Sequence, residues 1–359
     1  MEHKTPDTRY QSKRLRVTAA QAGARLDIWL SRHLPELSRS RIQSLIKSGH
    51  VSVDGRCVSA HYKVSEGREV RIEIPPTAPT QIAAENIPLD VLFEDSDIIV
   101  VNKPAGLVVH PAAGHTSGTL VNALLYHCDD LGGVGGELRP GIVHRLDKNT
   151  SGVMVAVKND HAFASLVRQF KSGNVRKEYL AIVYGIPDPT AGRIETLIAR
   201  SRHDRKKMCA LPASVAGVNS CTLANSRSAG QAGKIGRLAV THYKVEEIFD
   251  GICLMRLKIE TGRTHQIRVH MTHVGHPVVG DTQYGRRRNA EWRMANAEWA
   301  REKVGRQMLH AELLAFRHPR EGKKMEFRAP MPEDMKTLLD ELRMTVSASC
   351  SRGRTGKIP

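Results

Sequence analysis

The hydrophobic pattern of the chain changes period several times. In ARLDIWLSRHL the apolar residues Leu26, Trp29, Leu30 and Leu34 recur three and four apart, the spacing of one helix face. Pro35 ends that helix, and Ser38 is placed to cap a second one, SRSRIQSLIKSG, which stops at Gly49. VSVDGRCV then turns at Asp54-Gly55, a hairpin signal, and REVRIEI alternates as a strand does. Further on, the pattern predicts strands over 97–104, 152–158, 177–185, 237–249 and 251–260. Helical spacing predicts helices over 118–127, 161–173 and 331–344. Runs of strands broken by isolated helices predict an α+β fold with a mixed or antiparallel sheet, not a doubly wound one.

Punctuation between these elements divides the chain. Residues 1–22 are polar and read as a flexible tail, residues 23–75 as a small compact block, and the Pro-rich stretch 76–81 as a linker. A larger domain follows over 82–344, and residues 345–359 read as a disordered basic tail. Two stretches inside the larger domain read as loop insertions. Residues 211–234 are rich in Ser, Ala, Gly and Asn, and residues 286–307 open with Arg286, Arg287 and Arg288.

Charge narrows the class of partner. Lys and Arg number 54 against 37 Asp and Glu, a net +17 over 359 residues, and so large an excess favours a polyanion. No apolar run reaches the roughly 18 residues of a spanning helix, and the N-terminus has no apolar signal region. The six cysteines are scattered without a CxxC pair, which argues against a zinc site or a disulfide framework and for reduced thiols in the cytoplasm. Aromatics make up only 4%, so aliphatic residues must fill the core.

Two places carry candidate chemistry. Arg39, Arg41 and Lys47 lie on or beside the second helix, where positive charge can follow an RNA backbone without reading sequence; a solvated helix face is the plainer alternative. In GIVHRLDKNTSGVMVAVK, Asp147 sits at a turn between Arg145 and Lys148, charges that favour an ionised carboxylate able to act as nucleophile or base. An aspartate at a turn also serves plain local hydrogen bonding, and the residues alone leave both readings open.

The order RLDIWL, SRSRIQSLIKSGHVSVDG and an EGxxVxI strand resembles the S4 RNA-binding domain, over about residues 23–74. HRLDKNTSG resembles the signature of the RluA/RluD family of pseudouridine synthases. EDSDIIVVNKPAGLVVHP, KEYLAIVYG, LKIETGRTHQIRVHMTHVGHPVVGD, LHAELLAFRHP and FRAPMPEDM are similar to the family's other motifs, together covering about residues 82–342. An S4-like block ahead of this domain resembles the RluD-type arrangement. One departure stands out: Asn149 replaces the second acid of the usual DKDTSG, and asparagine can make the same turn.

That resemblance implies an isomerase of uridines in structured RNA, with large-subunit (23S) ribosomal RNA as expected target; the alternatives are the same chemistry on tRNA or another RNA, or a non-catalytic RNA-binding ribosome-assembly factor. A cytoplasmic monomer away from membranes is expected. By it, Asp147 matches the catalytic aspartate, Tyr179 the tyrosine that stacks on the target base, and Arg268 the arginine that pairs with the aspartate. Arg145 matches the residue that fills the stack left by a flipped base, and His144 beside it belongs to the same RNA-facing group. The reaction gains and loses no atom, so no cofactor is expected, in line with a sequence lacking GxGxxG and a P-loop. Metal binding is not expected either: His265, His270, His273 and His276 form no HExxH and read as structural or RNA-facing.

Overall fold

The computed structural model describes residues 11–34, 37, 39–75, 82–111, 115–128, 131, 134, 140–201, 204, 206–212, 236–285 and 303–352. Two sheets organise it. The first has four strands in the order β1-β4-β2-β3: β1 (Gln11–Arg16), β2 (Val51–Val53), β3 (Arg56–Cys57) and β4 (Glu69–Ile74). Helices α1 (Leu26–His33) and α2 (Arg39–Lys47) pack over it. The β2–β3 hairpin forms because both turn residues take positive φ, 47° at Asp54 and 76° at Gly55, the conformation that a tight two-residue turn demands. Alternation in β4 buries Val70 and Ile72 against Leu26, Trp29, Leu30, Ile42 and Leu45.

The expected flexible tail over 1–22 is corrected from Gln11 onward. β1 pairs antiparallel with β4 along its whole length, from Gln11 opposite Ile74 to Arg16 opposite Glu69, and Ala19–Gln21 form a 3-10 turn. The strand was hidden because QSKRLR is mostly polar and its partner lies more than fifty residues away. Ser38, Pro35 and the linker at 76–81 lie outside the described residues.

The second sheet has ten strands: β5 (Val91–Glu94), β6 (Ile98–Lys103), β7 (Ser151–Val157), β8 (Arg176–Tyr184), β9 (Ala191–Arg200), β10 (Met208–Pro212), β11 (Arg237–Ile248), β12 (Ile252–Ile259), β13 (Leu309–Arg317) and β14 (Lys324–Arg328). Their order is β10-β9-β11-β12-β8-β13-β7-β6-β5, with β14 also on β13. Every pairing is antiparallel except that of β13 with β7, so the expected mixed α+β sheet is present. β5, β9, β10, β13 and β14 add to the five strands predicted from pattern.

Strand period decides what faces what. On β8, Leu180, Ile182 and Tyr184 pack against α6 (Glu333–Arg352), whose Met335, Leu338, Leu339 and Leu342 are buried. Tyr179, Ala181 and Val183, one residue out of phase, face the opposite layer with α3 (Leu120–His127) and α5 (Gln266–His273). β6 divides likewise: Ile98 and Val100 meet α4 (Asp160–Ser172), while Ile99 and Val101 join the α3 side. β7 is buried along its entire length, as an apolar strand covered on both faces must be.

Three further expectations are refined. α6 continues to Arg352, so the expected tail from 345 begins as helix; residues 353–359 are outside the described residues. Most of the insertions 211–234 and 286–307 is also outside them, but Leu211 and Pro212 end strand β10, and Arg306 and Gln307 are buried. Cys128 and Cys253 are core residues, whereas Cys57 is exposed.

Candidate active site

Asp147 stands in the loop that leads into β7. The loop is closed on itself by the Thr150 amide, which donates to the Asp147 carbonyl at 3.0 Å. Three groups remote in sequence hold its backbone. The Gly106 amide (2.9 Å) and Lys103 Nζ (3.1 Å) donate to the Lys148 carbonyl, and Arg306 Nη1 donates to that of Asn149 at 3.1 Å. Gly152 follows with φ at 116°, and an added Cβ would run into the Ala311 carbonyl oxygen. Only glycine lets β13 approach the end of the loop so closely. Asn149 takes the turn as expected.

Lys103 is fully buried and spends its three N–H groups on the carbonyls of Pro104, Leu107 and Lys148, at 2.7, 2.9 and 3.1 Å. Burial pulls its pKa down to about 7, partly countered by the charge of Asp147. Arg306 pairs with Asp334 at 2.6 and 2.7 Å, which links the loop to the start of α6.

The charge partner of Asp147 is Arg268 on α5. Its Nη1 donates to Asp147 Oδ2 at 3.0 Å, while Nε and Nη2 grip Asp281 at 2.7 and 2.9 Å and Nη2 also reaches Gln283 Oε1 at 3.1 Å. Burial opposes the Arg268 charge, but Asp281 and Asp147 outweigh it and hold the guanidinium above the ordinary arginine range. Tyr284 lies beneath, with its ring centre 5.0 Å from Arg268 Cζ. His265 begins α5 in the left-handed region (φ 56°); its Nδ1 is 2.7 Å from Tyr284 Oη and its Nε2 is 3.8 Å from Asp147 Oδ1. Burial lowers its pKa, with Asp147 opposing and Arg268 reinforcing that shift.

Asp147, Tyr179 and Arg268 share one cleft of about 670 Å³ with Arg145, His144 and Leu309. Tyr179 is 8% exposed, and burial, then the charge of Asp147, push its phenol well above the ordinary range. Arg145 is exposed at the rim and forms no ion pair with a described residue, so the sequence neighbours of Asp147 are not its partners. His144 lines the cleft with a structural anchor: Nε2 accepts from the Val155 amide at 3.1 Å and the ring stacks on Phe170 at 4.8 Å. Burial, reinforced by Lys177, holds its pKa down to about 3, and the ring is neutral.

In the first domain, Arg39 is committed to the fully buried Asp27, at 2.7 Å, together with Arg25 and Gln43. Burial alone would raise the Asp27 carboxyl, but these hydrogen bonds bring it far below the usual range. Arg41 reaches the Pro75 carbonyl at 3.5 Å, and Lys47 is exposed in the last turn of α2.

The histidines of the HQIR segment take separate tasks. His270 is buried between Thr196 and Thr241 at 3.0 and 2.9 Å, and His276 bonds the Tyr184 carbonyl at 3.0 Å. Asp281, Tyr284, Lys103 and Arg306 escaped the sequence reading, which takes His265 only as structural or RNA-facing. GHPVVGD placed Asp281 inside a motif, but nothing local pointed it at Arg268.

The profile described as RNA pseudouridylate synthase matches residues 97–273, and the S4 domain profile matches residues 24–70. The protein named uncharacterized RNA pseudouridine synthase YlyB of Bacillus subtilis is 41% identical over 323 residues, spanning 90% of this chain and 95% of that one. Ribosomal large subunit pseudouridine synthase D of Zymomonas mobilis is 40% identical over 337 residues, 93% of this chain and 98% of that one. The solved structure of human RNA pseudouridylate synthase domain containing 1 superposes with a TM-score of 0.51 at 26% identity, covering 74% of this chain and 97% of that chain.

Proposed function

Since the chain belongs to the RNA pseudouridylate synthase family, we propose that Asp147 is the carboxylate with which it isomerises uridine to pseudouridine, and that the target lies in large-subunit ribosomal RNA. The observation that carries the site assignment is the Asp147–Arg268 pair at 3.0 Å in the same cleft as Tyr179.

In this reaction the N1–C1′ bond breaks and a C5–C1′ bond forms. The proton on C5 leaves, N1 gains one, and no electrons enter or leave. Asp147 starts the bond exchange, and Arg268 fixes its rotamer through a hydrogen bond assisted by both charges. Asp281 holds Arg268 from the other side, so the guanidinium is set before substrate arrives. A uridine inside a duplex cannot reach a carboxylate in a cleft and must leave its stack, at a cost of a few kcal/mol. The ring of Tyr179 offsets that cost by stacking on the base, and Arg145 at the rim enters the gap left behind. Because Tyr179 is a neutral phenol, it can hand on the C5 proton only as a hydroxyl relay.

The S4 domain supplies sequence-independent grip: Arg41 and Lys47 lie on or beside α2, away from the Asp147 loop in the chain. The ribosomal target rests on the Zymomonas relative, whose name specifies the large subunit.

Two measurements test this reading. Pseudouridines are mapped across total RNA from cells with and without the gene; loss of sites in large-subunit ribosomal RNA is expected, and loss only in other RNAs would move the substrate. Purified Asp147→Asn should lose at least about a thousandfold in rate, the scale of a missing reactive group, with RNA affinity nearly unchanged. Turnover near the wild-type rate would remove Asp147 from the chemistry.

A further inference from the structure

Beyond the reacting groups, the cleft contains cations with which no acid among the described residues forms an ion pair. Lys177 lies on β8 two residues before Tyr179 and therefore on the same strand face; both line the cleft. Its side chain is 6% exposed, with Nζ 5.9 Å over the centre of the Phe170 ring. Arg263, between β12 and α5, lines the same wall, as do Lys171 in the last turn of α4 and Arg237 at the start of β11. Among the described residues none of these four forms an ion pair. The nearby acids are engaged elsewhere: Glu260 with His242 at 2.6 Å, and Glu178 with Arg176 at 2.7 Å and Arg256 at 3.5 Å.

A buried ammonium without a counter-charge is costly, and folded proteins keep one only where something compensates it. Burial, then the neighbouring Arg263, draws the Lys177 pKa down to about 8, which still leaves it charged at neutral pH. A purely structural lysine here would satisfy its N–H groups as Lys103 does, on three carbonyls. Lys177 instead borders open volume beside the carboxylate that the substrate must reach.

We propose that Lys177 and Arg263 form a phosphodiester subsite inside the cleft, which takes a backbone phosphate next to the extruded uridine and so sets the ribose against Asp147. Lys171 and Arg237 extend this wall at the surface for the following phosphate. The subsite rests on the reading of the cleft as the place where an RNA nucleotide enters. Its class of ligand is narrow. Two adjacent cations, one buried, suit a phosphodiester, and the aromatic Phe170 under Lys177 forms a wall, not an acceptor.

The test separates the subsite from the chemistry. Lys177→Met keeps the unbranched apolar stem, one atom shorter, and removes the charge; Lys177→Arg keeps the charge. Each is made in the full-length protein and in Asp147→Asn, and all are titrated with an unmodified transcript of large-subunit ribosomal RNA across a range of salt. In the Asp147→Asn background, Lys177→Met should weaken binding by roughly tenfold or more. It should also flatten the log–log salt slope by about one, and Lys177→Arg should restore most of both. With Asp147 present, Lys177→Met should raise the RNA concentration for half-maximal single-turnover rate and also slow the saturated rate, because the ribose is no longer set against Asp147, and Lys177→Arg should restore most of both. Melting of Lys177→Met should be unchanged or higher, because a desolvated charge has gone. An unchanged salt slope with a lower melting temperature would overturn the proposal and make Lys177 a packing residue. If wild type does not modify this transcript, the ribosomal reading fails, and the subsite is still judged by the two salt slopes in the Asp147→Asn background.

Discussion

Arg268 sits between two aspartates and serves each with a different edge: Nη1 donates to Asp147 at 3.0 Å, while Nε and Nη2 close a two-point contact on Asp281 at 2.7 and 2.9 Å. Asp281 is 1% exposed at its side chain and Asp147 19%, so one contact is a buried anchor and the other faces the cleft. Asp281→Asn leaves a buried arginine short of its main partner, and breaking such a pair costs roughly 3–5 kcal/mol. Asp281→Asn should therefore lower the melting temperature and slow turnover together, whereas Asp147→Asn should abolish turnover and hardly move melting. Calorimetry and single-turnover kinetics on both variants check this contrast. Equal melting losses would put the two contacts on the same footing.

Tyr179 offers a ring and a hydroxyl, and two substitutions separate them. Tyr179→Phe should bind RNA within a few-fold of wild type and isomerise much more slowly, because it keeps the stacking face and loses the relay. Tyr179→Ala should also lose affinity, since stacking a base on an aromatic side chain contributes about 1–3 kcal/mol. Filter binding and rate measurements decide it. Near-normal activity in both would make Tyr179 a core residue and nothing more.

The first domain has its own core, built from residues between Leu15 and Ile74, which contributes no residue to the cores of the larger domain. A chain starting near Ile82 should fold and bind RNA more weakly. Its salt slope should be flatter by nearly one for each phosphate that the S4 domain no longer neutralises. It should still isomerise uridine at saturating RNA, because Asp147, Tyr179 and Arg268 remain. Complete loss of turnover in a folded truncation would mean that the S4 domain helps build the site.

Acid stability should report His270. Burial pushes its pKa from 6.5 down to about 4. As pH falls below 6.5 the unfolded chain takes up the proton first, so this residue costs stability progressively until pH passes about 4. Its share of that loss is on the order of 3 kcal/mol. His270→Gln, which can still bond Thr196 or Thr241, should flatten the stability curve between these limits. Urea unfolding at several pH values measures it, and an unchanged acid limb would place the titrating group elsewhere.

Local signals made much of this protein legible. Periodicity found α1, α2, α3 and α4, and the Asp54-Gly55 pair found its hairpin, because helix faces and tight turns depend on neighbours in sequence. The motif around Asp147 and those carrying Tyr179 and Arg268 resembled a known family closely enough to name all three.

What the sequence by itself determined was the kind of those elements that carry a clear period of their own, and the family to which the chain belongs. Tertiary structure alone decided their partnerships. Arg145 and Lys148 flank Asp147 in the chain, yet its ion partner is Arg268, 121 residues away, because α5 and the β7 loop meet across the cleft. Lys103 and Arg306 hold that loop by its carbonyls, and a backbone carbonyl leaves no mark on residue type. β1 became a strand through its pairing with β4, not through any apolar pattern of its own. Lys177 belongs to the cleft because β8 turns it to the same face as Tyr179 beside an arginine brought in from another loop. Such contacts depend on where distant segments meet in the packed sheet, and hydrophobic period along one segment carries no information about that.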